Sequence, residues 1–177
     1  MQIRTHMGIS VDGYVAAADG RPVMMFVPGF VGSESHGQAE FLAGCGAIAM
    51  GRTTFEPALD RDSWPWADKP IYVLTSRPLP GNTPPNVTAA TTVEGLVDRM
   101  RNDGFSGDVQ LLGGPQTLRS FHDAGLLDQL GLLIFPILLG GGLPLMPSGG
   151  GEVRLRLDST QTFDDGTIEN TYVPQRA

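Results

Sequence analysis

The chain has very little cysteine and lysine. Among its 177 residues, Cys45 is the only cysteine and Lys69 is the only lysine. One cysteine excludes an internal disulfide and a zinc site built from several cysteines. A Schiff-base mechanism needs a lysine amine, and Lys69 precedes Pro70 in a predicted loop, so we set that enzyme class aside. Cys45 is predicted to lie on a helix and to face the core, which argues against a nucleophilic role.

Positive charge is also scarce. Twelve Lys and Arg residues stand against 19 Asp and Glu residues, which gives a formal net charge of −7. Nucleic-acid binding requires a clustered basic face that neutralises phosphates, so we expect no nucleic-acid partner. His6, His36 and His122 lack the spacing of metal ligands, so we expect no metal. The absence of a Gly-x-Ser-x-Gly motif argues against a serine hydrolase.

Long hydrophobic runs are missing as well. The longest apolar stretch, at residues 126–139, is interrupted by polar residues and is too short to span a bilayer. The first eight residues do not resemble a signal peptide. We therefore expect a cytoplasmic protein with no membrane partner.

What the sequence does contain is an alternation of short apolar runs and helical patterns, separated by many of its 24 glycines and 14 prolines. Such alternation predicts an α/β layer fold with a largely parallel sheet, and the length predicts one domain over residues 1–177. The predicted strands lie at residues 2–8, 47–50, 70–75, 87–90, 108–112, 130–136, 153–160 and 166–173. The predicted helices lie at residues 35–45, 53–59, 93–102 and 116–124, and a loop is predicted at residues 12–33. The last two strands have no helix between them, which predicts an antiparallel pair at one edge of the sheet.

Three of these strands end in small, hydroxylated or basic residues, at the edge where α/β sheets bind ligands. The three segments are Gly51, Arg52, Thr53 and Thr54; Leu74, Thr75, Ser76 and Arg77; and Gly113, Gly114, Pro115, Gln116 and Thr117. Unpaired N–H groups at a helix start and an adjacent arginine both attract a phosphate, so the first segment predicts an anion site. The alternative is that Thr53 only caps its helix and that Arg52 is a solvated surface charge.

The other two segments are weaker signals on their own. The glycine pair of the third segment would let the backbone approach a pyrophosphate closely. It does not have the Gly-x-Gly-x-x-Gly spacing of a dinucleotide fingerprint. The second segment is equally consistent with a polar turn. It is the occurrence of all three at predicted strand ends that favours a binding edge.

Asp12 is the first candidate for acid–base chemistry. It follows the first strand and precedes Gly13, a pair that is also typical of turns. Glu34 and Glu40 lie at or on the next predicted helix, where a carboxylate more often faces solvent. The three glycines at residues 140–142 predict either a ligand-facing loop or a flexible turn.

Taken in order, five segments resemble the dihydrofolate-reductase-like family. Within that family they are most similar to the reductase domain of bacterial riboflavin biosynthesis and its stand-alone relatives. The segments are residues 10–16 (SVDGYVA), 51–56 (GRTTFE), 74–78 (LTSRP), 111–118 (LLGGPQTL) and 136–142 (PILLGGG). The resemblance implies a three-layer sandwich whose mixed, mostly parallel sheet has about eight strands. It also implies NADPH across the carboxyl edge of that sheet, and a homodimer.

The same resemblance implies which residues bind the cofactor. They are Ile9, Ala16, Gly51, Arg52, Thr53, Thr54, Leu74, Thr75, Ser76, Arg77, Gly113, Gly114, Pro115, Gln116 and Thr117. Arg52, Ser76 and Arg77 would surround the 2′-phosphate, and two arginines near one phosphate favour NADPH over NADH. Ile9 and Ala16 would flank the nicotinamide.

Together these observations predict an NADPH-dependent reductase of a small heterocyclic or carbonyl substrate, in which Asp12, or a water that it holds, supplies or steers the proton. A non-catalytic nucleotide-binding or regulatory protein that kept the cofactor groove is the alternative. A plain α/β scaffold for protein contacts is a third possibility. We expect the contact between the two subunits near Val153 and Tyr172.

Overall fold

The computed structural model describes residues 1–149 and 151–175, and it arranges most of the strands in one sheet. The strands are β1 (Ile3–Ser10), β2 (Tyr14–Ala16), β3 (Cys45–Gly51), β4 (Ile71–Leu74), β5 (Val87–Ala90), β6 (Asp108–Gly113), β7 (Gln129–Phe135), β8 (Leu143–Pro144), β9 (Leu155–Thr162) and β10 (Ile168–Pro174). The helices are α1 (Gln38–Ala43), α2 (Arg52–Leu59), α3 (Val93–Asn102) and α4 (Pro115–Asp123). Short 3-10 turns lie at Val23–Phe26 and Gly32–Glu34.

The main sheet has eight strands in the order β5-β4-β3-β6-β1-β7-β10-β9. The first six are parallel to one another, and β10 pairs antiparallel with both β7 and β9. The predicted mixed, mostly parallel sheet with an antiparallel pair at one edge is therefore confirmed. Because the six parallel strands run the same way, their carboxyl ends all meet at one edge of the sheet.

Helices cover both faces of the sheet and make it the middle of three layers. On one face, α3 packs against β4 and β5 while α4 packs against β6 and β3, and Leu96, Phe121 and Leu111 are fully buried there. On the other face, Phe55 of α2 packs against Met50 of β3 and its neighbours in β4. Thr92 starts α3, because its side chain accepts a hydrogen bond from the N–H of Gly95 at 3.1 Å.

The helix predicted at residues 35–45 is shorter than expected. The structure begins α1 after Gly37, whose φ of 71° is left-handed, and ends it at Gly44. Cys45 is therefore the first residue of β3, and its predicted place on a helix was wrong. It is buried nonetheless, and its thiol donates to the carbonyl oxygen of Phe41 at 3.3 Å.

The loop predicted at residues 12–33 contains a strand that the sequence pattern does not show. β2 pairs antiparallel with the two-residue β8 in a small second sheet, where Tyr14 lies opposite Pro144. The late strands are also shifted, since β9 begins at Leu155 and β10 at Ile168. Both strands therefore begin two residues later than predicted.

Lys69 is held in a structural contact. Its ammonium donates to the carbonyl oxygens of Leu42, at 2.9 Å, and Cys45, at 2.6 Å, near the end of α1. In the part of the chain that the structure describes, no group of three His, Cys, Asp or Glu side chains is placed to hold a metal ion. Among those same residues, no helix has both the length and the apolar character to cross a membrane.

Candidate active site

The carboxyl ends of β4, β3, β6 and β1 lie side by side in the sheet. The register places Gly51 opposite Leu74 and Met50 opposite Gly113. The three segments that the sequence singles out therefore follow three neighbouring strands. The turn after β1, which holds Asp12, comes next along the same edge. The sheet thus assembles one continuous edge from segments that are up to 100 residues apart in the chain.

Arg52 joins two of these segments. Its Nη1 donates to the carbonyl oxygens of Arg77, at 3.2 Å, and Pro78, at 2.8 Å, and its Nε donates to Glu56 at 2.7 Å. The Arg52 side chain is only 14% exposed. It is therefore not a solvated surface charge, and it fastens the loop after β4 to the start of α2.

The loop after β4 presents two side chains to solvent. The Thr75 hydroxyl accepts the N–H of Arg77 at 3.2 Å, which closes a tight turn. The side chains of Ser76 and Arg77 on this turn are exposed, whereas Leu74 is half-buried against the core. Ser76 and Arg77 are therefore the members of this segment whose side chains are most accessible to a ligand.

Glycines allow β3 and β6 to approach the start of α4 closely. A Cβ on Gly51 would lie 2.2 Å from Thr117 Oγ1, so no side chain fits there. Gly113 has a φ of +118°, and the peptide bond between Gly113 and Gly114 is cis. A Cβ on Gly114 would be 3.7 Å from Thr54 Oγ1, which places the starts of α2 and α4 next to each other.

Both helices begin at this edge without a side-chain cap. Gly51 is the N-cap of α2 and Gly114 is the N-cap of α4, and neither supplies a capping hydrogen bond. Backbone N–H groups at an uncapped helix start are suited to bind an anion, and the helix dipole adds to the attraction. Thr53 and Gln116 are exposed beside these starts, while Pro115 and Thr117 are buried. The two adjacent helix starts are therefore suited to bind an anion.

Ile9 and Ala16 lie farther along the edge and are buried. Ile9 is 8% exposed at the end of β1, and Ala16 is 7% exposed in β2, where it pairs with Leu143. A bound ring could reach them mainly through their backbone. Their predicted place beside a nicotinamide stays a prediction.

Asp12 is bound to a distant loop. Its two carboxylate oxygens accept the N–H groups of Leu139, at 3.1 Å, and Gly140, at 2.7 Å. A hydrogen bond with the Ser10 side chain, together with these backbone N–H groups, holds the pKa of the Asp12 carboxyl below its usual value. The N–H of Gly13 also donates to the Ser10 carbonyl at 2.9 Å, so the pair forms the turn that is typical of Asp-Gly.

Sequence reasoning assigned no contact to three residues that shape this edge. Glu56 orients the Arg52 guanidinium, and the four-residue spacing of the two on one helix could have revealed it. The glycines at residues 140–142 had indicated a loop that could face a ligand, but its contact with Asp12 joins Leu139 and Gly140 to a residue 127 and 128 positions away, so no local pattern could have indicated that contact.

Exposed hydrophobic side chains surround the end of the edge near Asp12. Val11 is 60% exposed, Leu138 is 72% exposed and Leu143 is 48% exposed. The N–H of Val11 donates to the carbonyl oxygen of Ile137 at 2.9 Å, which brings the first two together. Exposed apolar residues that lie close together are typical of a surface that binds a ligand.

Comparison with known proteins agrees with this architecture. The RibD C-terminal domain family model matches residues 2–168. The Bacillus subtilis uncharacterized protein YwjB is 24% identical over 159 residues, which cover 89% of this chain and 90% of that protein.

Solved structures share the fold. A protein of Shewanella sp. PV-4, provisionally assigned to riboflavin biosynthesis, superimposes with a TM-score of 0.83 at 25% identity and covers 99% of this chain and 100% of its own. A Thermotoga maritima deaminase/reductase, a diaminohydroxyphosphoribosylaminopyrimidine deaminase and 5-amino-6-(5-phosphoribosylamino)uracil reductase, superimposes with a TM-score of 0.73 at 14% identity. The superposition covers 98% of this chain and 56% of the Thermotoga maritima protein. The chain belongs to the RibD C-terminal domain family, a family of reductases with a dihydrofolate-reductase-like fold.

Proposed function

We propose that this chain is an NADPH-dependent reductase that transfers a hydride to a small heterocyclic or carbonyl substrate. The observation that carries the proposal is the adjacency of the three glycine-, hydroxyl- and arginine-bearing segments at one edge of the sheet. Membership of a reductase family supports the same chemistry. The uncapped starts of α2 and α4 support binding of the pyrophosphate there.

The residues after β4 favour NADPH over NADH in this proposal. Arg77 and Ser76 are exposed on a turn that Arg52 holds in place through the carbonyl oxygens of Arg77 and Pro78. A guanidinium can bind a phosphate through two parallel hydrogen bonds, which makes an arginine an effective partner for a 2′-phosphate. Arg77 would supply most of the binding, and Arg52 would fix the loop that presents it.

When bound, the cofactor would supply the hydride, and the protein would contribute binding and orientation. Gly113 and Gly114 would pass close to the pyrophosphate, and Ile9 and Ala16 would border the nicotinamide. The substrate would lie at the end of the edge where Val11 and other exposed apolar side chains are grouped. This environment favours a substrate with an apolar face.

Arg21, which follows β2, already contacts an acidic and an aromatic side chain, which argues against its binding a phosphorylated substrate. Arg21 donates to Asp19 at 2.7 Å and lies 4.5 Å from the centre of the Phe26 ring. A second phosphate would need its own guanidinium or ammonium. We therefore propose a substrate without a phosphate group.

The experiment that tests the cofactor is titration calorimetry with NADPH and, separately, with NADH. We expect NADPH to bind in the micromolar range and more tightly than NADH. Arg77→Ala should weaken NADPH by about tenfold or more, which is the loss of one charge-assisted contact of about 1.5–3 kcal/mol, and should leave NADH unchanged. Arg61→Ala is the matched control, because Arg61 is also exposed but lies after α2, away from this edge. Equal affinity for the two cofactors, or equal losses in Arg77→Ala, would contradict the assignment.

A non-catalytic nucleotide-binding protein is the second candidate, and one observation favours it. Asp12 is the acid that sequence reasoning assigns to catalysis, yet both of its oxygens are bound to backbone N–H groups. This candidate predicts NADPH binding without oxidation of NADPH in the presence of any carbonyl or pterin compound. Turnover with one such compound would exclude it.

A further inference from the structure

The turn after β1 and the segment that follows β7 are fastened together at several points. The N–H of Val11 donates to the carbonyl oxygen of Ile137, and the N–H of Leu145 donates to that of Gly13, both at 2.9 Å. Between these two backbone contacts, residues 138–142 form a loop that crosses the edge of the sheet. Asp12 holds the middle of that loop through two hydrogen bonds.

Apart from Leu139, which is half-buried against the apolar cluster of Val23, Leu133 and Phe135, the loop has little side chain to pack. Gly140, Gly141 and Gly142 have φ values of 70°, 157° and 138°, conformations that favour glycine. Leu138 is 72% exposed and therefore gains little from packing. Two hydrogen bonds to a carboxylate are each stronger than bonds to a neutral group, so Asp12 adds a strong polar constraint at the centre of the loop.

Asp12 is poorly suited to donate a proton. A carboxyl must be protonated in order to act as an acid, and the backbone N–H groups of Leu139 and Gly140 bind the ionised form. The side-chain hydrogen bond with Ser10 acts in the same direction and lowers the pKa of Asp12. Each carboxylate oxygen already accepts a backbone N–H, so the carboxylate is oriented toward the loop.

We propose that Asp12 is a positioning residue whose carboxylate fixes the loop at residues 138–142 against the nicotinamide end of the groove. The proposal rests on the function proposed above. The proton that completes the reduction then comes from water at the exposed edge, while the hydride comes from the cofactor. Asp12 stays ionised throughout and touches neither reacting atom.

Amide hydrogen exchange is the first test, and it needs no cofactor. Asp12→Asn replaces one accepting oxygen with an N–H₂ group, so one of the two loop amides loses its partner. We expect exchange at Leu139 or Gly140 to be at least tenfold faster in this variant, with a folded far-ultraviolet spectrum. Asp19→Asn is the matched control, since Asp19 is an exposed loop aspartate that binds only Arg21 among the described residues. Unchanged exchange at both amides would overturn the proposal.

A second measurement uses the unsubstituted protein, so it can be made even if the Asp12→Asn variant does not fold. The amide proton shifts of Leu139 and Gly140 should titrate together with the Asp12 carboxyl, at a midpoint below its ordinary pKa of 3.8. Shifts of the two amides that do not follow the Asp12 carboxyl would overturn the anchoring contact.

The fluorescence of bound NADPH separates positioning from a purely structural role. We expect Asp12→Asn to bind NADPH within about threefold of the unsubstituted protein, because its 2′-phosphate end is untouched, and to reduce the fluorescence enhancement of the nicotinamide. Faster amide exchange with unchanged fluorescence would overturn the positioning role. Absence of NADPH binding to the unsubstituted protein would overturn the proposed function and, with it, this role, whereas the exchange data would still decide the anchoring contact.

Discussion

The guanidinium of Arg52 donates to the carbonyl oxygen of Pro78 at 2.8 Å, across the gap between two strand ends. Arg52 begins α2 and Pro78 lies beyond the end of β4. The contact fixes the turn that carries Ser76 and Arg77, and it consumes donors that a solvated arginine would offer to a ligand. Arg52 therefore contributes to the stability of the fold and also to the position of Ser76 and Arg77.

Arg52→Ala should therefore affect the protein in two ways. We expect a lower melting temperature, because four hydrogen-bonding contacts of a largely buried guanidinium are lost. We also expect NADPH to weaken more than NADH, because the turn that carries Arg77 is released. Differential scanning calorimetry and titration calorimetry measure the two effects. A stability loss accompanied by equal losses for both cofactors would argue against a 2′-phosphate site.

Gly51→Ala should destabilise the protein. The added Cβ would lie 2.2 Å from Thr117 Oγ1, and Thr117 is buried at the start of α4. Overpacking of this kind costs about 1–3 kcal/mol of unfolding free energy. Urea unfolding measures the change. Gly81→Ala is the matched control, since a Cβ on Gly81 would have no neighbour within 4 Å, and a similar loss in that variant would contradict the steric explanation.

Tyr72→Phe should change the response of stability to alkaline pH. The Tyr72 hydroxyl donates to Asp103 at 2.7 Å, and burial, followed by this contact, raises the pKa of Tyr72. A raised pKa contributes stability that is present below the unfolded-state pKa of 10 and is lost as pH rises toward the folded-state value. At pH 7 we expect a loss of about 1 kcal/mol for the missing hydrogen bond.

The difference between the two proteins should shrink above pH 10, because the phenylalanine variant has no hydroxyl to ionise. Urea unfolding at pH 7, 9 and 11 measures this convergence. A constant difference across that range would show that ionisation of Tyr72 does not contribute to unfolding.

The homodimer expected from the resemblance stays a prediction, and the structure offers a surface on which to test it. All eight residues of β9 at the edge of the sheet are exposed, and Leu157 is 52% exposed. Leu157 lies opposite Tyr172 in β10, within the region where the subunit contact is expected. Leu157→Glu should convert a dimer into a monomer in sedimentation velocity experiments. Val31→Glu, at a similarly exposed hydrophobic residue outside this region, should leave the dimer intact. A monomeric unsubstituted protein would contradict the prediction.

The sequence by itself determined the class of fold and the segments that matter. Dense apolar runs such as residues 71–74 predict buried parallel strands, because both faces of such strands are covered. Glycine and proline positions located most of the connections, since these residues restrict or release the backbone locally. The order of five short segments was sufficient to indicate the family, which the RibD C-terminal domain match confirms.

Local patterns failed where distant contacts decide the structure. β2 is three residues long, and it pairs with the two-residue β8, which lies more than 120 residues further along the chain. No periodic pattern in so short a segment could predict this strand. Cys45 joined β3 because Gly37 and Gly44 limit α1 to six residues, a limit that the apolar spacing of this region does not show.

Only the tertiary structure decided what the candidate residues do to one another. The sequence named Arg52 and Asp12 as polar residues at strand ends, and left open whether each was free or engaged. The fold places Pro78 beside Arg52 and Gly140 beside Asp12. Arg52 therefore holds the loop after β4, and Asp12 holds the loop at residues 138–142. A hydrogen bond requires its two atoms to lie within about 3 Å of each other. Arg52 and Pro78 are separated by 26 positions, and Asp12 and Gly140 by 128 positions, so the order of strands in the sheet determines whether they meet.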